Sequence, residues 1–269
     1  MATAFLYLCL QIQTEHVFTT HFMITKTNIT GTYIVHGIKG YDDREERLKN
    51  IFNNQLFVPV EFVTEFHNDE ENKKLIRNYF DDTVNNYLSK GAIYCTLVHI
   101  LIYEKIVAEK HAMALVFEND VCFIGNNFID KIQKVAKEAA SLEPGFMISL
   151  ENATLEFPSI YKVKKNKYLY PAKKGRCAGA YLIDYTAAQI MLNDLKNKKC
   201  TTVIDWWHNE MVERNVLKMY WAHPPLTEQG SFNGALSSSI SIRSNGYIRR
   251  FKWLCQKYYK MYVLRLFKF

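Results

Sequence analysis

Two carboxylates on either side of an amide follow a short apolar run near the middle of the chain. Glu118, Asn119 and Asp120 come directly after ALVF at residues 114–117. A carboxylate at the end of a buried strand is stable only when a cation or another partner compensates its lost hydration. Hard divalent cations take oxygen ligands and usually keep open positions for substrate phosphates. On its own the stretch is a weak signal, because acids in a turn after a strand are common, so both a solvated β-turn and a metal site stay open.

Apolar strands and amphipathic helices alternate along the chain and must position these acids. The pattern predicts strands at residues 32–37, 58–63, 112–117, 145–150, 177–183 and 217–222 and helices at residues 42–54, 91–111, 126–141, 185–197 and after TTVIDWW. A hairpin of two short strands is expected around IYKVKKNKYLY at residues 160–170. This alternation predicts an α/β sheet covered by helices on both faces, in which ligands bind where loops leave the carboxyl ends of the strands.

The basic charge is concentrated in the last tenth of the chain. The formal net charge is +7, and residues 243–269 carry eight Lys or Arg and no acid, which leaves −1 for the rest. A near-neutral body argues against a nucleic-acid-binding protein. Apolar residues recur at helical spacing in the tail, so it predicts a basic amphipathic helix suited to an anionic membrane surface, with a helix docked on the domain as the alternative.

The cysteines and the N-terminus bear on the compartment. Six cysteines are scattered without a CxxC pair, so neither a zinc knuckle nor a disulfide framework is indicated, and a reducing, cytoplasmic compartment fits. The first residues lack the positive segment of a signal peptide, and either Met1 or Met23 can be the start. We expect an extension at residues 1–30, a main domain at residues 31–242 and the tail at residues 243–269.

Five segments, in the same order, resemble glycosyltransferase family 25, the lipopolysaccharide-type galactosyltransferases. Residues 91–120 resemble the family's G-E-I-G-C-x-x-S-H helix and its strand ending in E-D-D. The matching helix positions are Gly91, Ile93, Cys95 and His99, and the departing ones are Ala92, Tyr94 and Val98. YIVHGIKGYDDREERL resembles the opening strand and D-R-x-x-R, with His36 where the family usually has Asn. GAYLIDYTAAQIML, VIDWW and PPLTEQGSFNGALSSSI resemble the later elements.

This resemblance implies a GT-A-like (Rossmann-like) mixed sheet flanked by helices, with residues 31–242 as the glycosyltransferase domain. It implies transfer of a hexose, with UDP-galactose as the expected nucleotide-sugar donor, to a lipopolysaccharide or other glycan acceptor with inversion. Glu118, Asn119 and Asp120 then stand for a D-x-D type motif, in which Asn119 replaces the middle acid. Asp120 would bind Mn²⁺ or Mg²⁺, and Glu118 would lie near the ribose or bind the metal through water.

Inverting transfer needs a base that takes the proton of the acceptor hydroxyl. Asp205 in VIDWW is the first candidate, because desolvation beside apolar residues can raise its pKa and the indoles of Trp206 and Trp207 can stack on a sugar. A helix N-cap is the alternative role for Asp205. Glu210 and Glu228 are the other candidate bases.

Other polar residues are expected around the donor. Arg44 and Arg47 lie one turn apart and can contact phosphate or form salt bridges with neighbouring acids. His99 is either a core histidine or a donor-pocket residue. Gln229 belongs to the donor pocket by resemblance, and His223 is either a further metal ligand or a structural histidine. A non-catalytic nucleotide-sugar or glycan-binding protein of the same fold is the functional alternative, suggested by the departures from the family motif.

Overall fold

The computed structural model describes residues 28–52, 59–152, 157–175, 177–236 and 246–267, so the start of the chain, including Met1 and Met23, and the closing SSSI motif lie outside the described residues. The strands are β1 (Ile29–Val35), β2 (Val60–Val63), β3 (Met113–Glu118), β4 (Val121–Phe123), β5 (Phe146–Ser149), β6 (Leu169–Ala172), β7 (Ala180–Asp184), β8 (Lys218–Ala222) and β9 (Thr227–Gln229). The helices are α1 (Asp42–Phe52), α2 (Asp69–Tyr79), α3 (Lys90–Ala108), α4 (Phe128–Ala139), α5 (Tyr185–Asn197), α6 (Ile204–Glu213), α7 (Gly230–Asn233) and α8 (Gly246–Tyr258).

Seven of these strands form one mixed sheet in the order β2-β1-β3-β7-β5-β8-β6. β1 pairs in parallel with β2 and β3, and β5 pairs in parallel with β8. β7 runs antiparallel between β3 and β5. Because β3 and β5 both oppose β7, their carboxyl ends lie at the same edge as those of β1, β2 and β8. At that edge β7 contributes its amino end, so loops from five strands and the residues before β7 can build one site.

Both faces of the sheet are buried. Successive side chains of a strand point to opposite faces, and consecutive residues of β3 and β7 are buried. On β3, Ala114 and Val116 belong to one hydrophobic cluster, and Leu115 and Phe117 belong to the other. The first cluster is completed mainly by α3, α5 and α6, and the second by α1 and α4. The predicted mixed α/β sheet flanked by helices is confirmed.

The central helix of the first cluster is α3. Ser89 caps it by accepting a hydrogen bond from Ala92 N at 3.2 Å. By length and composition this helix could cross a membrane, yet half of its apolar stretch is buried within the domain. Leu97, Ile100 and Tyr103 are fully buried, so the helix is a core element, as the pattern at residues 91–111 predicts.

The expected hairpin at residues 160–170 is wrong. Ile160–Lys162 form one turn of 3₁₀-helix, and only β6 is a strand in this region. Ile160 and Tyr161 are exposed, so the first half of the expected hairpin has no buried face to hold it in a sheet. β6 pairs instead with β8, antiparallel, with Leu169 opposite Ala222. The strand partner is distant in sequence, which a local pattern does not reveal.

The loop after β8 contains two short elements that the sequence pattern did not predict. β9 pairs antiparallel with β4, so that Cys122 lies opposite Glu228. The short helix α7 follows directly. Because β4 begins one residue after Asp120, this small sheet brings residues 227–233 beside the acidic turn.

The basic tail forms a helix that packs against the domain. α8 contacts α7, buries the ring of Trp253 and places Lys257 Nζ 2.5 Å from Glu228 Oε1. Farther along, buried Arg265 donates from Nε to Pro158 O at 2.9 Å. These contacts correspond to the docked-helix alternative for the tail. Its outer side nevertheless exposes several large apolar side chains: Ile248, Phe251, Tyr258, Tyr259, Tyr262, Leu266 and Phe267.

Candidate active site

The acidic turn begins where β3 ends, at the carboxyl edge of the sheet. Glu118 is the last residue of β3, and its N–H donates to Gly179 O at 2.8 Å. The N–H of Asn119 donates to Val35 O at 3.1 Å, at the end of β1. The backbone of the turn is thus held from the neighbouring strands on both sides. The carboxylates lie at a strand end, where the sequence pattern places them.

Asp120 offers a buried oxygen for a ligand. The residue is only 5% exposed, and its Oδ2 accepts a hydrogen bond from Ser231 N at 3.1 Å. Its Oδ1 is buried and has no hydrogen-bond partner among the described residues. Burial and the charge of Glu118 raise the pKa of Asp120, and the contact with Ser231 partly offsets that shift. A cation at Oδ1 would satisfy this oxygen.

Glu118 is held from one side and faces two potential metal ligands on the other. Its Oε2 accepts from Gln229 Nε2 at 3.0 Å. Its Oε1 lies 3.7 Å from Cys95 Sγ and 3.8 Å from His99 Nε2. Burial raises the pKa of Glu118, and the contacts with Cys95 and Gln229 lower it in part. Gln229 therefore acts on the site through its hydrogen bond to Glu118. It is not among the residues that line the cavity in front of the acidic turn, where a donor-pocket residue is expected.

The amide of Asn119 is explained by its partners. Arg44 Nη1 donates to Asn119 Oδ1 at 2.7 Å, and Arg47 Nη2 donates to its backbone oxygen at 3.1 Å. The side-chain Nδ2 lies 3.3 Å from His36 Nδ1. An amide can accept from an arginine and donate to an imidazole at once, which a carboxylate cannot do. Asn119 thus organises the turn, and both arginines bind it directly.

A buried glutamate that the sequence analysis overlooked lies at the same edge of the sheet. Glu151 follows β5 by two residues, is 2% exposed and accepts from Gly179 N at 3.1 Å. Burial and the charges of Glu118 and Asp120 raise its pKa well above the usual range. A signal for it exists, because MISLEN at residues 147–152 repeats the pattern of an apolar strand followed by Glu-Asn seen in LVFEND.

Asp205 faces this acidic cluster from α6. Burial and then the charge of Glu118 raise its pKa. The N-cap alternative for Asp205 is wrong, because α6 begins at Ile204 with Val203 in the capping position. Ile204 N donates to Thr96 Oγ1 at 3.1 Å, so a residue of α3 accepts the first free N–H of the helix. The carboxylate of Asp205 accepts a local hydrogen bond from Trp206 N at 3.0 Å.

The two indoles beside Asp205 have different environments. Trp206 is 69% exposed, so its ring is available to a sugar face. Trp207 is 2% exposed, and its Nε1 donates to Asp194 Oδ2 at 3.0 Å. The expectation that both rings can stack on a sugar is therefore wrong for Trp207, because helical geometry turns it into the core.

The remaining candidates occupy other surroundings. Glu210 pairs with Lys198 at 2.7 Å on the outer side of α6. Glu228 is bound by Lys257 and by Asn152 Nδ2 at 2.8 Å, at the contact between the domain and the tail.

The two histidines among the predicted site residues lie in different surroundings. His223 Nε2 lies 3.4 Å from Arg265 Nη2, beside the docked tail, and His223 is not among the residues that line the cavity in front of the acidic turn. His99 is fully buried, with Nδ1 2.7 Å from Tyr181 Oη. Burial lowers the pKa of His99 to about 3. His99 thus lies under the acidic turn, in contact with the core.

A cavity of about 550 Å³ opens in front of the acidic turn. Its walls include Glu118, Asn119 and Asp120, the residues after β1, and Ser231 of α7. Three cations and several aromatic rings share this lining: Lys39, Arg44, Lys90, Tyr41, Phe66 and Tyr94. The cavity therefore combines carboxylates that suit a metal ion, cations that suit a phosphate group and aromatic rings that suit a planar nucleobase.

Four carboxylates make this edge of the sheet suitable for a divalent cation. They are Glu118, Asp120, Glu151 and Asp205, all with pKa values raised by burial. The charge of Glu118 contributes to the shift at each of the other three. Ionising neighbouring carboxylates is costly unless a cation compensates their charge. Together with Asp120 Oδ1, for which the described residues supply no hydrogen bond, this set fits an Mn²⁺ or Mg²⁺ ion held by Asp120 and Glu118.

Comparison with known sequences identifies relatives for most of the domain. The sequence model of glycosyltransferase family 25, described as an LPS biosynthesis protein, matches residues 31–207. A curated relative of Acanthamoeba polyphaga mimivirus, named "Putative glycosyltransferase R655", is 27% identical over 171 residues, which are 60% of this chain and 52% of that protein. The chain thus spans about half the length of the curated relative it matches.

Comparison with solved structures finds distant similarities. The apo-form glycosyltransferase GlyE of Streptococcus pneumoniae TIGR4 is 14% identical, with 71% of this chain and 44% of that chain covered and a TM-score of 0.36. A UDP-glucose pyrophosphorylase complexed with UDP-glucose is 11% identical, with 74% and 75% covered and a TM-score of 0.38.

Proposed function

This chain belongs to glycosyltransferase family 25, and we propose that it transfers a hexose, in the first place galactose from UDP-galactose, to a hydroxyl of a glycan acceptor such as lipopolysaccharide, with inversion. The observation that carries the proposal is the buried Oδ1 of Asp120, which has no hydrogen-bond partner in the described part of the chain and lies on the wall of a cavity that also presents cations and aromatic rings. This combination matches the metal, diphosphate and base of a nucleotide sugar.

The nucleotide would lie along the cavity in front of the acidic turn. Lys39 and Lys90 line it and can pair with the diphosphate. Tyr41, Phe66 and Tyr94 line it as well and offer faces for the nucleobase. Asp120 and Glu118 would hold Mn²⁺ or Mg²⁺, which when bound neutralises the charge that develops on the leaving diphosphate.

Asp205 is the proposed general base. The acceptor oxygen bonds to the anomeric carbon while the bond from that carbon to the diphosphate oxygen breaks, and its electron pair leaves with the diphosphate. Asp205 takes the acceptor's proton, and the exposed ring of Trp206 beside it can hold the acceptor sugar. Glu151 is too deeply buried to meet an acceptor, and Glu210 and Glu228 are paired with lysines.

A peripheral contact with the cytoplasmic face of a membrane is part of the proposal. The outer side of the tail exposes apolar rings such as Phe251 and Tyr262 together with the cations Arg250 and Lys252. Exposed aromatic rings with neighbouring cations suit an anionic lipid surface, where a lipid-linked acceptor would be found. The docked side, with Trp253 and Arg265, would keep the catalytic domain at that surface.

The alternative is a non-catalytic nucleotide-sugar or glycan-binding protein of the same fold. The departures at Asn119, Ala92 and Val98 suggest it, and the contacts with Arg44 and His36 explain the first of these without loss of the metal-binding acids. The test is a thermal-shift screen of nucleotide sugars with and without Mn²⁺, followed by transfer to glycan acceptors with the anomeric configuration read by NMR. Binding of a nucleotide sugar without any transfer or hydrolysis would favour the alternative.

A further inference from the structure

Three side chains of different chemistry meet beneath the acidic turn. Cys95 and His99 lie four residues apart and therefore on the same side of α3. Cys95 Sγ is 3.7 Å and His99 Nε2 is 3.8 Å from the same atom, Glu118 Oε1. All three ligand atoms lie within 4.8 Å of one another. From this geometry we propose that Cys95, His99 and Glu118 form a second metal site, which takes a borderline-soft divalent cation such as Zn²⁺.

The spacing of the three atoms suits tetrahedral zinc. With Zn–S near 2.3 Å and Zn–N and Zn–O near 2.1 Å, ligand atoms in a tetrahedron are about 3.4 to 3.6 Å apart. The two distances to Glu118 Oε1 exceed this only slightly, and the Cys95 and His99 ligand atoms lie within 4.8 Å of each other, so side-chain rotations that bring these two together would close the site. A sulfur, an imidazole nitrogen and a carboxylate oxygen form a set that zinc accepts and that Mg²⁺ does not favour.

The imidazole is oriented for this role by a buried chain of hydrogen bonds. His99 Nδ1 is 2.7 Å from Tyr181 Oη, which is 3.0 Å from Tyr103 Oη, which is 2.6 Å from His208 Nε2. If each hydroxyl donates toward His208, then His99 donates from Nδ1 and keeps a lone pair on Nε2. If the chain runs the other way, the N–H on Nε2 faces Glu118 Oε1 at 3.8 Å, beyond hydrogen-bond range.

In either direction His99 Nε2 is buried without a hydrogen-bond partner among the described residues, and it points toward Glu118. A bound metal would satisfy it. The carboxylate is prepared in the same way, because Gln229 binds Oε2 and leaves Oε1 for the cluster. Outer contacts that fix an imidazole and a carboxylate are typical of metal sites.

This site differs from the one proposed at Asp120 in ligands and in surroundings. Asp120 presents only oxygen, whereas this cluster adds a sulfur and a nitrogen. Cys95 and Glu118 also line the nucleotide cavity, while His99 approaches from the core. A zinc ion held by these three residues would keep one position for a further ligand, as zinc sites with three protein ligands do. Glu118 would connect the two metals.

Cobalt substitution tests the proposal. The full chain, reduced and freed of metal with a chelator, is titrated with Co²⁺ and then with Zn²⁺. We expect one equivalent of Co²⁺ with a thiolate-to-cobalt charge-transfer band and the intense visible absorption of tetrahedral cobalt, both removed by Zn²⁺. Cys95→Ser should abolish the charge-transfer band, and His99→Gln should abolish the tetrahedral absorption. Gln229→Ala, which removes an outer contact, should weaken binding by about 10- to 100-fold.

Two controls separate this site from its neighbours. Cys122→Ser changes a nearby partly buried thiol outside the cluster and should keep the band. Asp120→Asn should keep the band while it loses Mn²⁺-dependent nucleotide-sugar binding, so that failure of either metal proposal leaves the other measurable. The absence of a charge-transfer band in the wild-type chain would overturn the second site. Its persistence in Cys95→Ser would overturn it as well, and the wild-type measurement decides even if a variant fails to fold.

Discussion

Gln229 donates its side-chain amide to Glu118 Oε2 at 3.0 Å, across 111 residues of sequence. The contact is possible because Gly179 lies beside it without a side chain. A Cβ at Gly179 would come within 2.5 Å of Gln229 Nε2. The backbone of Gly179 also accepts from Glu118 N and donates to Glu151. Because Gly179 has no side chain, Glu118, Glu151 and Gln229, which come from three separate segments, can all approach it closely.

Gly179→Ala should therefore damage both the fold and the site. The added methyl must displace Gln229, so we expect a loss of about 1 to 3 kcal/mol in unfolding free energy and weaker nucleotide-sugar binding. Denaturant unfolding measures the first quantity. Gly175→Ala is the matched control, because its Cβ would meet the flexible end of Met219 at 3.4 Å.

The double variant Gly179→Ala/Gln229→Ala makes the test specific. Removing the displaced side chain should recover part of the stability, so the two changes should be less than additive. Simple additivity would show that the glycine is needed for another reason.

The acidic turn could be predicted from sequence because its signal is local. An apolar run that ends in two acids identifies a strand end, and an open sheet places strand ends at one edge. Glu151 carried the same local signal after β5. The orientation of Trp207 could not be foreseen, because it depends on α6 beginning before Asp205 rather than after Trp207.

Contacts between segments that are distant in the sequence could not be predicted from the local hydrophobic pattern. The partner of Glu118 is on β9, and the pairing of β9 with β4 depends on a register between strands about 100 residues apart. The docking of the tail on Glu228 and Pro158 has the same character, since a helical period shows an apolar face without showing what covers it.

Asp120→Asn should abolish metal-dependent donor binding while the fold remains. The amide oxygen can still accept from Ser231 N, but the charge that would hold the cation is gone. For the wild type with Mn²⁺, a nucleotide sugar at 100 times its dissociation constant should stabilise the chain by about 2.7 kcal/mol, measured by thermal shift. Asp130→Asn, an exposed acid of α4, should retain the full shift. An Mn²⁺-dependent shift that survives in Asp120→Asn would contradict the assignment.

Glu151 should make the metal-free protein less stable at higher pH. Its pKa is raised in the folded state, so the folded chain binds more protons than the unfolded chain between the ordinary value of 4.5 and the raised one. Stability from this group is present below that window and is lost as pH rises through it, with a slope of up to about 1.4 kcal/mol per pH unit for one proton.

Glu151→Gln should flatten this dependence, and a saturating divalent cation should do so in the wild type. Denaturant unfolding at a series of pH values with and without chelator measures both effects. Equal slopes for Glu151→Gln and the wild type would show that Glu151 does not carry the ionisation.

The exposed side of the tail should bind anionic vesicles. Phe251→Ser with Tyr262→Ser removes apolar rings without changing charge, so co-sedimentation with anionic vesicles should fall while thermal stability stays the same. Wild-type binding should also weaken with salt, since part of the attraction is screened. Tyr87→Ser with Val216→Ser is the matched control on another exposed pair, outside both the tail and the Ile160–Lys162 turn that contacts it. Vesicle binding that is equal in both double variants would remove the tail from the proposed membrane contact.

Asp205→Asn tests the step on which the proposed mechanism depends. A general base acts on the acceptor's proton alone, so the variant should bind donor and metal as the wild type does while transfer falls by about 10² to 10⁴. The fold should be unaffected, because Val203 occupies the capping position and the Asn oxygen can still accept from Trp206 N. Transfer by the wild type should rise as pH passes through the raised pKa of Asp205, and the variant should lack that rise. Glu210→Gln, which only breaks an ion pair with Lys198, should keep nearly full activity. If Asp205→Asn retains more than about a tenth of wild-type transfer, a base effect of the expected size is absent, and Asp205 is not the general base.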